Sequence, residues 1–116
     1  MKMFVDVPEV FLCVKPVDFR KSINGLAALI EEELELCVLS GALFVFCNKN
    51  RDKLKLLYRD ETGFALWFKR LDKHKFKWPR ITDMTMSLTE QQLHWLLSGF
   101  DVVGHQKVSL TGKQIF

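Results

Sequence analysis

The sequence predicts an α+β fold: an antiparallel sheet of four to five strands, built from consecutive hairpins and packed with two helices. Three observations carry this expectation. Between residues 42 and 78, short apolar runs alternate with polar turns of four or five residues, the spacing of antiparallel neighbours. Before that region, apolar residues recur at steps of three and four; after it, a second such stretch opens on a capping signature. The length, 116 residues, suits one domain whose core needs no staples. Residues 1–116 are therefore expected to form a single domain, with an N-terminal extension over residues 1–8 and a C-terminal tail over residues 102–116.

The elements follow in order. Residues 10–14 read as a short buried strand, ended by Lys15 and Pro16. Asp18 is expected to N-cap a helix over residues 19–34, with Phe19, Ile23, Leu26, Ala27, Ile30 and Leu34 on one face. Its ends carry the wrong charges for an isolated helix: Arg20 and Lys21 at the start, Glu31, Glu32, Glu33 and Glu35 at the finish. Strands are expected over residues 42–47, 53–58 and 64–69, and a fourth short one over 74–78, closed by Pro79. The turns between them span 48–52, 59–63 and 70–73, with Gly63 available for a positive φ. Residues 81–87 read as one more strand or an extended connection. Thr89 and Gln92 then form a capping box, Leu88 and Leu93 its hydrophobic staple, and Gly99 a helix stop.

Several function classes are excluded or disfavoured. No apolar run approaches the ~20 residues of a membrane helix. The N-terminus has an early acid, Asp6, and no long apolar segment, so it does not read as a signal peptide, and a cytoplasmic location is expected. Cys13, Cys37 and Cys47 are far apart and form no C-x-x-C pair, and His74, His94 and His105 lack metal-ligand spacing. The acids Asp52, Asp60, Glu61 and Asp72 all fall in turns, where solvent-exposed turn formers are usual. No phosphate-binding glycine loop or nucleophile elbow is present. No catalytic residue, cofactor or metal is expected.

Charge is the informative feature. Residues 49–80 hold eleven basic and four acidic side chains, a net +7 in a chain whose total is +3. Such segregation suits a polyanionic partner. Along the predicted strands, Lys53, Lys55 and Arg59 alternate with Leu54, Leu56 and Tyr58; Trp67 and Lys69 alternate with Phe64, Leu66 and Phe68; Lys75 and Lys77 alternate with Phe76 and Trp78. A single sheet is expected to gather these cations on one side, Trp67 among them, with Lys49, Arg51, Arg70 and Lys73 at the rims. Lysine and arginine neutralise phosphates and release counterions, and flat aromatics stack on unpaired bases. The bland reading is a solvated face whose lysines discourage edge-to-edge pairing. Arg20 and Lys21, beside a helix N-terminus, either seat a phosphate or pair with Asp18.

The segments together carry a resemblance. Pro16-Val17-Asp18-Phe19-Arg20-Lys21-Ser22 with Gly25-Leu26-Ala27 is one block, and residues 40–58 are a longer one. Gly63 to Leu71, Phe76-Lys77-Trp78-Pro79 and the helix from Leu88 to Gly99 complete the series. In this order they resemble the TnpB family, accessory proteins encoded by the second open reading frame of insertion sequence 66 elements in bacteria. The resemblance implies a non-catalytic helper of transposition that acts beside a separate, larger transposase. Phe19 stands where that family often has Met, and Arg59 where it often has Trp, which removes a stacking aromatic there. The expected partners are thus DNA, contacted through Arg20, Lys21, Lys49, Arg51, Lys53, Lys55, Arg59, Trp67, Lys69, Arg70, Lys75 and Lys77, and the element-encoded transposase; no membrane is expected.

Overall fold

The structure, a computed structural model, describes residues 9–98. Its elements are strand β1 (Val10–Cys13), helix α1 (Ile23–Glu32), a 3-10 turn (Val38–Ser40), strands β2 (Leu43–Cys47), β3 (Lys53–Arg59), β4 (Phe64–Arg70) and β5 (Thr85–Leu88), and helix α2 (Glu90–Leu97). The five strands form one sheet in the order β4-β3-β2-β1-β5. The expected α+β class and strand number hold. The predicted N-terminal extension, the C-terminal tail and the stop at Gly99 lie outside the described residues.

The sheet is mostly, not wholly, antiparallel. Only β2–β3 and β3–β4 are hairpins. β1 and β2 run parallel, with Val10 opposite Leu43 and Leu12 opposite Val45. A parallel pair needs a crossover, and α1 supplies it. β5 closes the far edge antiparallel to β1, with Val10 opposite Leu88 and Cys13 opposite Thr85. β2 sits at the centre, and all five of its side chains are buried. That continuous apolar run is what a strand covered on both faces requires.

Each face has its own apolar cluster. On one, Leu26 and Ile30 of α1 pack on Phe44, Phe46 and Leu57. On the other, Leu93, Leu96 and Leu97 of α2 pack with Leu12, Val45, Leu54 and Leu56, joined by Phe76 and Trp78. The capping box forms as expected: Gln92 N donates to Thr89 Oγ1 at 3.0 Å, and Thr89 N to Gln92 Oε1 at 2.8 Å.

Three local expectations are corrected. α1 begins at Ile23, with Ser22 as its N-cap. Asp18 is diverted: its carboxylate accepts from Arg20 N at 2.9 Å and from the Arg20 guanidinium at 2.7 Å. Residues 74–78 form no strand. Phe76 N donates to Arg51 O at 2.7 Å and Trp78 Nε1 to Val14 O at 2.9 Å, so the segment crosses the end of the sheet and never lengthens an edge. Its period-2 pattern is real, since Phe76 and Trp78 are buried while Lys75 and Lys77 are exposed. Gly63 does not adopt a positive φ; among the described residues that conformation falls to Glu35, Gly41 and Arg51. The Asp60 side chain holds the Gly63 turn instead, accepting from Thr62 N at 2.8 Å and Gly63 N at 3.0 Å.

Candidate nucleic-acid interface

The parallel pair decides where the cations go. The carboxyl ends of β1 and β2 point the same way, so the connections leaving them emerge together. Val17 N donates to Cys47 O at 2.9 Å, tying the β1–α1 connection to the end of β2. The β2–β3 turn lies at this same end, and Leu71 N donates to Asp52 O at 2.8 Å, bringing in the β4–β5 connection.

Asn48 organises the turn. Its Oδ1 accepts from Asp52 N at 3.1 Å and Lys53 N at 3.0 Å, and its Nδ2 donates to Asp52 Oδ1. This bond, aided by Lys53, holds the Asp52 carboxyl below its ordinary range. Arg51 takes φ 61°, a left-handed conformation costly for a residue with a Cβ.

Three connections therefore bring basic residues to one end. Lys15, Arg20 and Lys21 come from the β1–α1 connection, Lys49 and Arg51 from the turn, and Lys73, Lys75, Lys77 and Arg80 from the β4–β5 connection. Lys53 opens β3 and Arg70 closes β4, facing each other across the ladder. The opposite end collects Glu31, Glu32, Glu33 and Glu35 after α1, with Asp60, Glu61 and Glu90. The charges that disfavour α1 as an isolated helix are those of these two poles, and the helix dipole adds to the positive one.

The expected wall on one sheet face is not what the register builds. Lys53, Lys55, Arg59 and Arg70 share the α1 face, while Trp67 and Lys69 lie on the α2 face, because Leu54 stands opposite Lys69 and Leu56 opposite Trp67. Several predicted cations have other engagements. Lys55 Nζ donates to Phe19 O at 2.8 Å and Lys21 O at 3.0 Å. Lys69 Nζ donates to Leu97 O at 2.9 Å. Arg59 lies at the acidic end, over the Phe64 ring at 5.1 Å. Lys53 and Arg70 make loose ion pairs at 3.7 Å with Asp52 and Asp72. Trp67 packs partly buried against the α2-side core. Among the described residues, the aromatic that opens to solvent at the basic end is Phe68, 51% exposed and opposite Lys55. Sequence reasoning missed Phe68 because alternation assigns faces within a strand but not which faces pair across strands.

Among the described residues, no group of three or more His, Cys, Asp or Glu side chains could hold a metal ion. Asp60 and Glu61 are at the opposite end of the sheet from Asp52 and Asp72. Burial pushes the thiols of Cys13 and Cys47 up to about 11 and about 12, away from nucleophilic reactivity. No described helix is long and apolar enough to cross a membrane.

The sequence profile of IS66 Orf2-like proteins matches residues 8–107 and so covers both ends of the sheet. The chain belongs to the IS66 Orf2-like family. It is an insertion sequence accessory protein, and the resemblance read from its sequence blocks is correct. Two proteins of Sinorhizobium fredii (strain NBRC 101917 / NGR234) are similar to this chain over most of its length. The uncharacterized protein y4hO is 36% identical over 93 residues, 80% of this chain and 81% of the relative. The uncharacterized protein y4jC is 34% identical over 93 residues, 80% of each chain. No solved structure matches the chain. For an IS66 Orf2-like protein, the electrostatic segregation between the two sheet ends is thus the main guide to partner chemistry.

Proposed function

We propose that this IS66 Orf2-like protein is a non-catalytic, cytoplasmic accessory factor of transposition that binds DNA through the basic end of its sheet. One observation carries the reading: three connections far apart in sequence deliver their cations to the same end, where they outnumber Asp18, Asp52, Asp72 and Asp83, while the glutamates gather at the other. A polyanion is attracted to one pole and repelled by the other, which orients the protein on it. Phe68, solvent-open beside Lys53, Lys55 and Arg70, offers a surface for an unstacked base.

The test is a salt-titrated binding assay against element ends and an unrelated duplex. With about five phosphates contacted, log K is expected to fall against log salt with a slope near −4 to −5. Replacing Lys49, Lys53, Lys75 and Lys77 together with Glu should abolish binding and leave the fold intact, since none of the four donates a hydrogen bond to a backbone carbonyl among the described residues. A flat salt response, or unchanged affinity in that variant, would overturn the proposal.

The acidic end supports a second, compatible reading. There Leu39 is 62% exposed close to the glutamates that end α1, an apolar spot in an acidic field. This end would contact the transposase. Co-purification of the two proteins that is lost in Leu39→Asp would support it; a clean monomer beside co-expressed transposase would remove it. A small metal-dependent nuclease is the weakest alternative, and intact supercoiled plasmid after incubation with Mg²⁺ or Mn²⁺ dismisses it.

A further inference from the structure

We infer that the groove between the β2–β3 turn and the extended segment 75–81 seats a single phosphodiester of a nucleic-acid strand, with Arg51 as the side chain that recognises it. The inference rests on the DNA reading and narrows it to one place. The groove measures about 650 Å³, and Arg51, Lys75, Lys77 and Arg80 line it over a floor of Phe76 and Trp78. Among the described residues, no carboxylate lines it.

Arg51 is held there from several directions. Its carbonyl accepts from Phe76 N at 2.7 Å, and its guanidinium lies over the Trp78 ring, 5.9 Å from the centroid. Trp78 is itself fixed by its Nε1 bond to Val14 O at 2.9 Å. The left-handed backbone of Arg51 adds a local cost that a glycine would not incur. Despite these restraints, Arg51 Nη1 is buried and has no hydrogen-bond partner among the described residues. A buried guanidinium donor left unsatisfied is expensive, so a preorganised side chain of this kind fits a site awaiting an acceptor.

The acceptor's chemistry follows. A guanidinium presents a planar fork matched to phosphate oxygens. The three further cations disfavour a neutral acceptor and favour an oxyanion. The chain at 75–78 alternates, with Lys75 and Lys77 exposed and Phe76 and Trp78 buried, so two ammonium groups stand on the solvent side of the floor. A phosphate in the groove would meet the Arg51 side chain that lines it and the lysines on the open side.

The test uses the full chain, labelled with ¹⁵N and ¹³C, and three probes: the dinucleotide d(TpT), which carries one phosphodiester; thymidine, which has none; and tetraglutamate. The Arg51 Nε–H and Trp78 indole signals are expected to shift saturably with d(TpT) and not with thymidine. Arg51→Gly, which removes the fork at a position whose backbone suits glycine, should weaken the d(TpT) response about tenfold. The Leu12 and Val45 methyl signals report that the core is unchanged. Absence of shifts with d(TpT), equal shifts with thymidine, or no loss in Arg51→Gly would overturn the inference. Tighter binding of tetraglutamate would also overturn it, in favour of an acidic protein segment. Shifts with d(TpT) in a protein that fails to bind longer DNA would leave the groove standing and defeat the wider DNA reading.

Discussion

The Nζ of Lys55 lies 2.8 Å from the carbonyl oxygen of Phe19 and 5.0 Å from the centre of its ring. A strand lysine thus fastens the connection ahead of α1, using its charge on two backbone carbonyls and an aromatic face. Lys55→Met keeps the aliphatic stem but deletes these bonds. It is expected to lower unfolding free energy by about 2 kcal/mol, since hydrogen bonds to charged groups contribute on that scale. Urea denaturation measures this; an unchanged midpoint would show that the staple contributes nothing.

Lys69 makes the equivalent contact on the other face, at Leu97 O near the end of α2. Lys69→Gln should therefore cost stability and weaken polyanion binding little, whereas Lys77→Gln should do the reverse. Parallel urea and anisotropy measurements on the two variants separate them.

Trp78 Nε1 supplies the buried Val14 carbonyl with its partner at 2.9 Å. Trp78→Phe leaves that carbonyl bare and is expected to cost about 1–3 kcal/mol. If the variant matched the parent in thermal unfolding, the role assigned to the indole in fixing segment 75–81 would be wrong.

Arg20 holds the Asp18 carboxyl down to about 2, through its side-chain and backbone bonds and its charge. A depressed carboxyl adds stability that is present above its ordinary value of 3.8 and is lost as pH falls toward 2. The pair is exposed, so the readout is the titration itself. The Asp18 carboxyl ¹³C signal should titrate near 2 and move up toward 3.8 in Arg20→Ala. Asp18→Asn also releases the Arg20 charge and is expected to strengthen polyanion binding, with a salt slope steeper by up to about one unit. Weaker binding in Asp18→Asn would show that the pair orders the connection for contact.

Cys37 is exposed, while Cys13 and Cys47 are buried with thiols pushed up to about 11 and about 12. A disulfide reagent at pH 8 should modify Cys37 rapidly and the other two only upon unfolding. Fast reaction of all three would mean that the central strands open far more readily than their packing suggests.

How legible this was in the sequence varies with the physics of each element. The α2 start was readable because a capping box is a local bond pattern between Thr89 and Gln92. β2, β3 and β4 were readable because apolar runs bounded by polar turns specify hairpins. The start of α1 was not, because Asp18 had two uses for its carboxylate and the adjacent Arg20 captured it. The strand expected at 74–78 had the correct alternation, but alternation reports burial of one side and not a ladder partner.

The sequence by itself determined the sheet-and-two-helix composition, the family blocks and the imbalance of charge, since all three reside in residue types and short spacings. The tertiary structure alone decided that most of the cations share an end and not a face. The shared end depends on one long-range choice, the parallel pairing of β1 with β2, which sets which connections emerge together and which no local pattern in the chain encodes. The β3–β4 register, by contrast, is set at the Asp60 turn and divides the strand cations between the two faces.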